Sequence, residues 1–146
     1  MNARFLAILL ACSTAVAAWP LAGPQETKKA DGMQVYYLEV VTKDVDQVCA
    51  AYSAAGEVTF GKPDAGLGGA RTAPLPGGGL VGVRAPLRPT EAPVVRPYWL
   101  VKDIQAAVAA AQKAGGQVAV EPTEIPGRGK FAIYLQGGVD HGLWQK

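Results

Sequence analysis

Three charged residues of this chain stand on predicted strands, where their chemistry would be held in place. Glu39 lies on an otherwise apolar strand, and its carboxylate could transfer protons or pair with a neighbouring arginine. Arg84 and Arg96 carry permanent charges and can hold a carboxylate through two parallel hydrogen bonds. These residues predict either a site for an anion or a structural set of ion pairs in which the arginines contact Glu39 and Glu91.

Aromatic side chains accompany these charges. Tyr37, Tyr98 and Trp144 lie on predicted strands and would supply large flat surfaces against which a ring can stack. Together with the charged residues they predict a site for a flat organic molecule, with Glu39 as the one candidate catalytic residue.

The chain has few residues that could bind a metal or form a disulfide. The chain has one histidine, His141, and two cysteines, Cys12 and Cys49, which is too few for a Cys/His zinc site or a disulfide framework. Cys49 falls on the apolar face of a predicted helix, so we expect a buried, inert thiol. His141 precedes an apolar strand, and we expect a hydrogen-bonded structural residue there.

Composition limits the chain to one ordinary globular domain without an affinity for polyanions. It has 146 residues, of which 49% are apolar and 18% charged. Fourteen Lys and Arg against twelve Asp and Glu give a net charge of +2, without a basic run, so no nucleic-acid partner is expected.

The N-terminus predicts export. A short basic start is followed by an apolar run of Phe5 to Val16 and an Ala-Val-Ala cleavage pattern, which is typical of a secretory signal peptide over 1–17. The run is too short to span a membrane, so we expect a mature chain without a membrane span, either periplasmic or secreted. Cys12 keeps open a lipid anchor. Residues 18–32 are expected to form a flexible lead-in.

An internal repeat organises the rest of the chain. Residues 41–56 align with residues 100–115 at a shift of 59, with six of sixteen positions identical. Each copy has an apolar strand, a Lys-Asp turn, an Ala-rich helix and a glycine. Asp44 and Asp103 would cap the helix starts, and Gly56 and Gly115 would end the helices in a left-handed conformation.

The repeat predicts two β-α-β-β-β units within a domain of residues 33–146. Unit one (33–85) should contain strands at 33–42, 57–60, 70–73 and 80–85 and a helix at 45–55. Unit two (94–146) should contain strands at 94–101, 117–120, 130–136 and 142–145 and a helix at 104–114. The Pro-rich segment 86–93 is the expected linker, because proline cannot continue a ladder.

This double unit, with a Lys-Asp turn into each helix and a C-terminal GLWQ strand, resembles the vicinal oxygen chelate superfamily. That superfamily includes glyoxalases, bleomycin-resistance proteins and extradiol dioxygenases. The resemblance implies an α+β fold in which the two units form one curled, incomplete barrel with both helices outside. It leaves the function open, since one scaffold hosts many activities.

The resemblance also implies where a divalent metal would bind. The ligands of the superfamily's enzymes come from the first and last strands of each unit, and these positions correspond here to Tyr37, Gly82, Arg96 and Gly142. An arginine is a fixed cation and a glycine offers no side chain, so we expect neither a metal nor another cofactor.

Strand alternation then indicates the residues that line the concave face. Tyr36, Leu38 and Val40 should face the helices. The predicted ligand-binding residues are Tyr37, Glu39, Arg84, Arg96, Tyr98 and Trp144.

The sequence therefore predicts an exported, metal-independent protein that binds an aromatic or anionic small molecule. A metal-dependent lyase or dioxygenase of the same superfamily is the alternative, in which case a divalent metal would be required. A structural or partner-binding module is the third. We also expect a homodimer, because two units leave sheet edges exposed.

Overall fold

The structure, a computed structural model, describes residues 32–146. The predicted signal peptide 1–17, with Cys12, and all but the last residue of the predicted segment 18–32 lie outside the described part of the chain. The elements in chain order are β1 (Val35–Val41), α1 (Val45–Gly56), β2 (Arg71–Leu75), β3 (Gly79–Arg84), β4 (Val94–Leu100), α2 (Ile104–Lys113), β5 (Gln117–Ile125), β6 (Gly129–Gln136) and β7 (Val139–Gln145).

All seven strands belong to one mixed sheet with the order β2-β3-β1-β4-β7-β6-β5. The first strands of the two units, β1 and β4, pair antiparallel at its centre, and each pairs in parallel with the last strand of its own unit, β3 or β7. The sheet is not closed, since β2 and β5 are its two edges. This is the α+β arrangement that the sequence predicts.

The helix starts follow the repeat more closely than the helix ends do. Asp103 accepts a hydrogen bond from the Ala106 amide at 3.0 Å and caps α2. Asp44 occupies the equivalent position but makes no side-chain cap. Gly115 has the expected left-handed conformation, with φ +92°, whereas in unit one this conformation falls on Glu57 and Gly56 stays helical.

One predicted strand, at 57–60, is not found. The chain leaves α1 through the left-handed Glu57 and runs irregularly to residue 64. Phe60 is buried against Tyr52 on α1. The apolar residues of this segment therefore signal a loop that packs on the core, and unit one contributes three strands where unit two contributes four.

Two apolar clusters lie under the helices. The cluster of α1 contains Val40, Cys49, Val81 and Val83, and the cluster of α2 contains Ile104, Val108, Ala132 and Leu143. The expected burial of Cys49 is confirmed.

Tyr36 departs from the predicted alternation. Leu38 and Val40 face α1 as expected, but Tyr36 packs against Trp144, with ring centroids 5.5 Å apart. The pairing of β1 with β4 shifts register between Val35 and Tyr37, and this irregularity interrupts strict alternation at Tyr36. Within residues 32–146, no helix is long and apolar enough to cross a membrane.

Candidate functional site

A cavity of about 420 Å³ opens on the sheet face that the helices leave uncovered. We call the residues around it the cup. All six predicted ligand-binding residues line it, namely Tyr37, Glu39, Arg84, Arg96, Tyr98 and Trp144. The strand pattern alone thus brings residues from four strands to one cavity.

Strand register explains why the charged residues meet. Glu39 on β1 is aligned with Gly82 on β3 and with Arg96 on β4. Gly82 has no side chain, and the Tyr37 ring occupies the space over it. Arg84, two residues further along β3, points to the same face and reaches Glu39 from the other side.

Glu39 is the centre of a buried ion-pair network. Its Oε1 accepts a hydrogen bond from Arg84 Nε at 2.7 Å, and its Oε2 accepts one from Arg96 Nη1 at 2.5 Å. The Tyr98 hydroxyl donates to the same Oε2 at 3.0 Å. All four side chains are buried. Three donors thus hold both oxygens of the carboxylate, which makes Glu39 a structural anion and leaves it poorly placed as a general base.

Two carboxylates at the rim complete the network. Glu91, in the linker, accepts from Arg84 Nη1 at 2.9 Å and from Nη2 at 2.7 Å. Asp140, at the start of β7, accepts from Arg96 Nη2 at 2.7 Å. The structure therefore shows both arginines in ion pairs, as the structural alternative predicts.

Burial and charge set the protonation of these groups. The hydrogen bonds from Arg84 lower the pKa of Glu91 to about 2, against the opposing effect of burial. Burial raises the pKa of the Tyr37 and Tyr98 phenols, and the nearby Glu39 carboxylate raises both further. Both tyrosines are therefore neutral hydroxyl donors at physiological pH.

An aromatic cluster forms the wall of the cup. The ring centroids of Tyr37 and Tyr98 lie 5.5 Å apart, and Trp144 lies 5.6 Å from Tyr37 and 6.0 Å from Tyr98. The Tyr37 ring lies directly over Gly82, and the Tyr98 ring lies over Gly142. At both glycines an added Cβ would overlap the tyrosine. In both units, therefore, a tyrosine ring covers a glycine of the neighbouring strand.

The residues present do not suit a metal at the positions that the resemblance implies. Tyrosine rings cover Gly82 and Gly142, and Arg96 is held in ion pairs. Residues 32–146 contain no group of three or more His, Cys, Asp or Glu side chains that could hold a metal ion. His141 does not line the cavity, since its ring stacks on Tyr134 at a centroid distance of 5.0 Å.

Apolar residues that the sequence analysis missed also line the cavity, most of them packed with the aromatic cluster. They are Leu67, Val120, Ile125, Phe131 and Ile133. Alternation on the predicted strand 130–136 could have indicated Phe131 and Ile133. Leu67 sits in a short 3₁₀ helix whose approach to β5 and β6 depends on long-range packing, and no local pattern indicates it.

The linker also contributes to the cup. Leu87, Arg88 and Glu91 line the cavity, and the Leu87 amide donates to Glu91 at 2.6 Å. The same carboxylate forms an ion pair with Arg84, so Glu91 connects the linker to β3 beside the cavity.

Comparison with solved structures finds this architecture in other proteins. The hypothetical protein BH1468 from Bacillus halodurans C-125 superposes with a TM-score of 0.61 at 15% identity, over 78% of this chain and 94% of that chain. Methylmalonyl-CoA epimerase from Streptomyces coelicolor, solved in complex with 2-nitronate-propionyl-CoA, gives 0.57 at 17% identity, over 77% and 94%. The epimerase from Mycobacterium tuberculosis gives 0.57 at 17%, over 78% and 87%.

These identities are low, and the likeness concerns the fold. No protein-family description matches the sequence, and no curated protein matches it. The chain therefore has a glyoxalase-like α+β fold.

Proposed function

We propose that this chain is an exported, metal-independent glyoxalase-like protein that binds a small aromatic molecule in the cup. The observation that carries the proposal is a cavity of about 420 Å³ whose wall is aromatic at the positions where a metal would need ligands. Cavities of this size with apolar walls and a few placed polar groups are typical small-molecule sites.

The charge balance of the cup favours a neutral ligand over an anionic one. The buried arginines Arg84 and Arg96 face three carboxylates, Glu39, Glu91 and Asp140. An anion in contact with Arg84 or Arg96 would have to displace one of these carboxylates and could otherwise pair only with the exposed Arg88 of the cavity lining. A neutral ring can stack on the tyrosines and Trp144 without breaking an ion pair.

Binding is favoured over turnover because, among residues 32–146, no carboxylate or histidine at the cup is free to act as a base. Glu39 already accepts three hydrogen bonds, and the only histidine lies outside the cavity. The epimerases among the structural neighbours are solved with CoA esters, which supports small-molecule binding at this fold's cavity as a general use of the scaffold.

The test is a ligand screen on protein purified without chelator and then divided. Elemental analysis of one part should show no stoichiometric metal. The other part, with chelator added, should gain thermal stability from neutral aromatic compounds. A stoichiometric metal whose removal abolishes binding would support the lyase or dioxygenase alternative.

A variant with a filled cavity is the matched control. Ala119 lies at the cavity and is exposed, so Ala119→Trp should block the cup while leaving the core intact. Stabilisation by the hits should disappear in this variant. If no compound stabilises the parent protein, a partner-binding module is the better account.

Export and self-association are part of the same proposal. We expect the chain to be cleaved after Ala17, and N-terminal sequencing of material recovered from the periplasm or medium tests this. The open edges β2 and β5 favour a homodimer, which sedimentation at tens of micromolar should show. A monomer under these conditions would contradict it.

A further inference from the structure

Two buried polar atoms in the cup are left without a hydrogen-bond partner among residues 32–146. They are the Tyr37 hydroxyl and Arg96 Nε. The two residues line the cavity and are only 4% and 7% exposed. The two atoms themselves lie beneath the cavity surface, with the Tyr37 hydroxyl over Gly82, so a ligand reaches them only when these side chains turn outward. An unsatisfied buried polar group costs about 1 to 3 kcal/mol, so native proteins rarely keep one without a use.

The two atoms occupy equivalent places in the repeat. The shift of 59 that aligns the two units carries position 37 onto position 96. The neighbouring polar groups are satisfied: Arg96 Nη1 and Nη2 hold Glu39 and Asp140, and the Tyr98 hydroxyl holds Glu39. Each unit therefore contributes one donor that the protein itself does not use.

Both groups can donate a hydrogen bond to an acceptor on the ligand. Arginine is permanently protonated, and its Nε–H is a donor without acceptor capacity. Burial and the Glu39 carboxylate raise the pKa of Tyr37, so its hydroxyl keeps its proton. Because Glu39 and Asp140 already compensate the charge of Arg96, the matching group is an uncharged oxygen.

We infer that the Tyr37 hydroxyl and Arg96 Nε recognise the ligand of the cup by donating hydrogen bonds to neutral acceptor oxygens, such as the carbonyl of an aromatic ketone or amide. This inference rests on the proposed function, because it specifies the ligand of the same cavity. The ring would lie against the tyrosines and Trp144, and the oxygen would face β1 and β4.

The experiment compares three naphthalenes substituted at the same ring position. Acetylnaphthalene carries a neutral acceptor, isopropenylnaphthalene has the same shape with a methylene in place of the oxygen, and naphthoate is the anion. Calorimetric titration of the chelator-treated protein should show acetylnaphthalene binding at least tenfold more tightly than isopropenylnaphthalene, and more tightly than naphthoate.

Tyr37→Phe removes one donor and nothing else. Affinity for acetylnaphthalene should fall by about threefold to tenfold, as expected for one neutral hydrogen bond, while affinity for isopropenylnaphthalene stays the same. The Tm should hold or rise, since the lost hydroxyl has no partner in the fold. Tyr134→Phe, the same change outside the cavity, should bind all three probes like the parent.

Nuclear magnetic resonance of isotopically labelled protein reports on the second donor. Acetylnaphthalene should shift the Arg96 Nε–H signal more than isopropenylnaphthalene does. The Arg84 Nε–H is the internal control, because it already donates to Glu39 at 2.7 Å and should move less.

The outcomes separate the inference from the proposed function. Equal binding of acetylnaphthalene and isopropenylnaphthalene, unaffected by Tyr37→Phe, would overturn the inference and leave aromatic binding standing. Tighter binding of naphthoate would overturn the choice of a neutral acceptor. Failure of all three probes to bind would count against the proposed function and the inference together.

Discussion

Glu39 determines the electrostatics of the cup at the scale of single residues. Among residues 32–146 it is the only carboxylate that contacts both buried arginines, and its neighbours in the strand pairing place it between them. Removing one partner of a buried ion pair leaves the other charge without compensation in a poorly solvated place. The network is therefore expected to be important for stability whether or not a ligand is bound.

Glu39→Gln should lower the free energy of unfolding by about 3 to 5 kcal/mol, because it leaves Arg84 and Arg96 without their shared carboxylate. Urea denaturation followed by circular dichroism measures the change. Glu121→Gln, on the exposed edge strand, is the matched control and should alter stability by less than about 0.5 kcal/mol. A loss below about 1 kcal/mol for Glu39→Gln would show that the arginines are not buried as described.

Glu91 gives the network a pH dependence. Its pKa is lowered from 4.5 to about 2 in the folded protein by the hydrogen bonds from Arg84. A carboxylate whose folded pKa is depressed contributes stability above its unfolded pKa and loses it as the pH falls towards the folded value. The contribution of Glu91 should therefore be complete at pH 7 and should disappear between about 4.5 and about 2.

Glu91→Gln tests this window. At pH 7 the variant should be less stable than the parent, by about 1.5 to 3 kcal/mol for lost hydrogen bonds to a charged group. The difference should shrink as the pH is lowered below about 4.5. A difference that stays constant down to acid pH would contradict the assigned role of the carboxylate.

At the scale of elements, the pairing of a tyrosine with a glycine on the adjacent strand shapes the cup. Tyr98 on β4 is aligned with Gly142 on β7, and its ring occupies the space that a side chain at 142 would need. In unit one the Tyr37 ring likewise covers Gly82, although Gly82 is aligned with Glu39 and Tyr37 with Leu80. A side chain at either glycine would push the tyrosine into the cavity.

Gly142→Ala should destabilise the fold by about 1 to 3 kcal/mol, because the new methyl group would overlap the Tyr98 ring. Gly61→Ala is the control, since its new methyl would meet only an ordinary contact at 3.7 Å. Thermal denaturation measures both. In a Tyr98→Ala background the cost of Gly142→Ala should be smaller, with a remainder from the Pro97 carbonyl oxygen, which lies 2.9 Å from the added Cβ. An undiminished cost there would rule out the proposed overlap with Tyr98.

Local patterns predict these elements well where the signal is periodic and poorly where packing decides. The repeat predicts both helices, and alternation predicts most of the strand residues that line the cup. On β1 and β4, alternation holds for Leu38 to Val40 and for Arg96, Tyr98 and Trp99. The loop at 57–60 resembles a strand in sequence because it contains apolar residues, among them Phe60, which is buried. Its backbone nevertheless turns at Glu57 and forms no strand. The register shift before Tyr37, which redirects Tyr36, has no local signature.

At the candidate site, too, the sequence predicts only some of the ion-paired residues. The sequence assigns Arg84, Arg96 and Glu39 to one face of the sheet. Ion pairs between them are one of the two alternatives that it predicts. Asp140 could not be assigned, because its position depends on where β7 begins and on the approach of a side chain from the next strand.

At the scale of the whole molecule, this chain combines a glyoxalase-like fold with a cup whose residues do not suit a metal. The solved neighbours match the double unit over more than three quarters of this chain. In this chain aromatic rings and ion-paired arginines occupy the place of a metal site, and an apolar cavity remains beside them. The account therefore predicts that binding depends on the shape and hydrogen bonding of the cup alone.

The most direct test is a calorimetric titration of chelator-treated protein with acetylnaphthalene, repeated after addition of excess zinc, nickel or manganese. We expect saturable binding of one molecule per chain in chelator, with an affinity that added metal does not change. Binding that appears only after metal is added would contradict the account at its centre, since it would place a metal where the structure puts Tyr37, Tyr98 and Arg96.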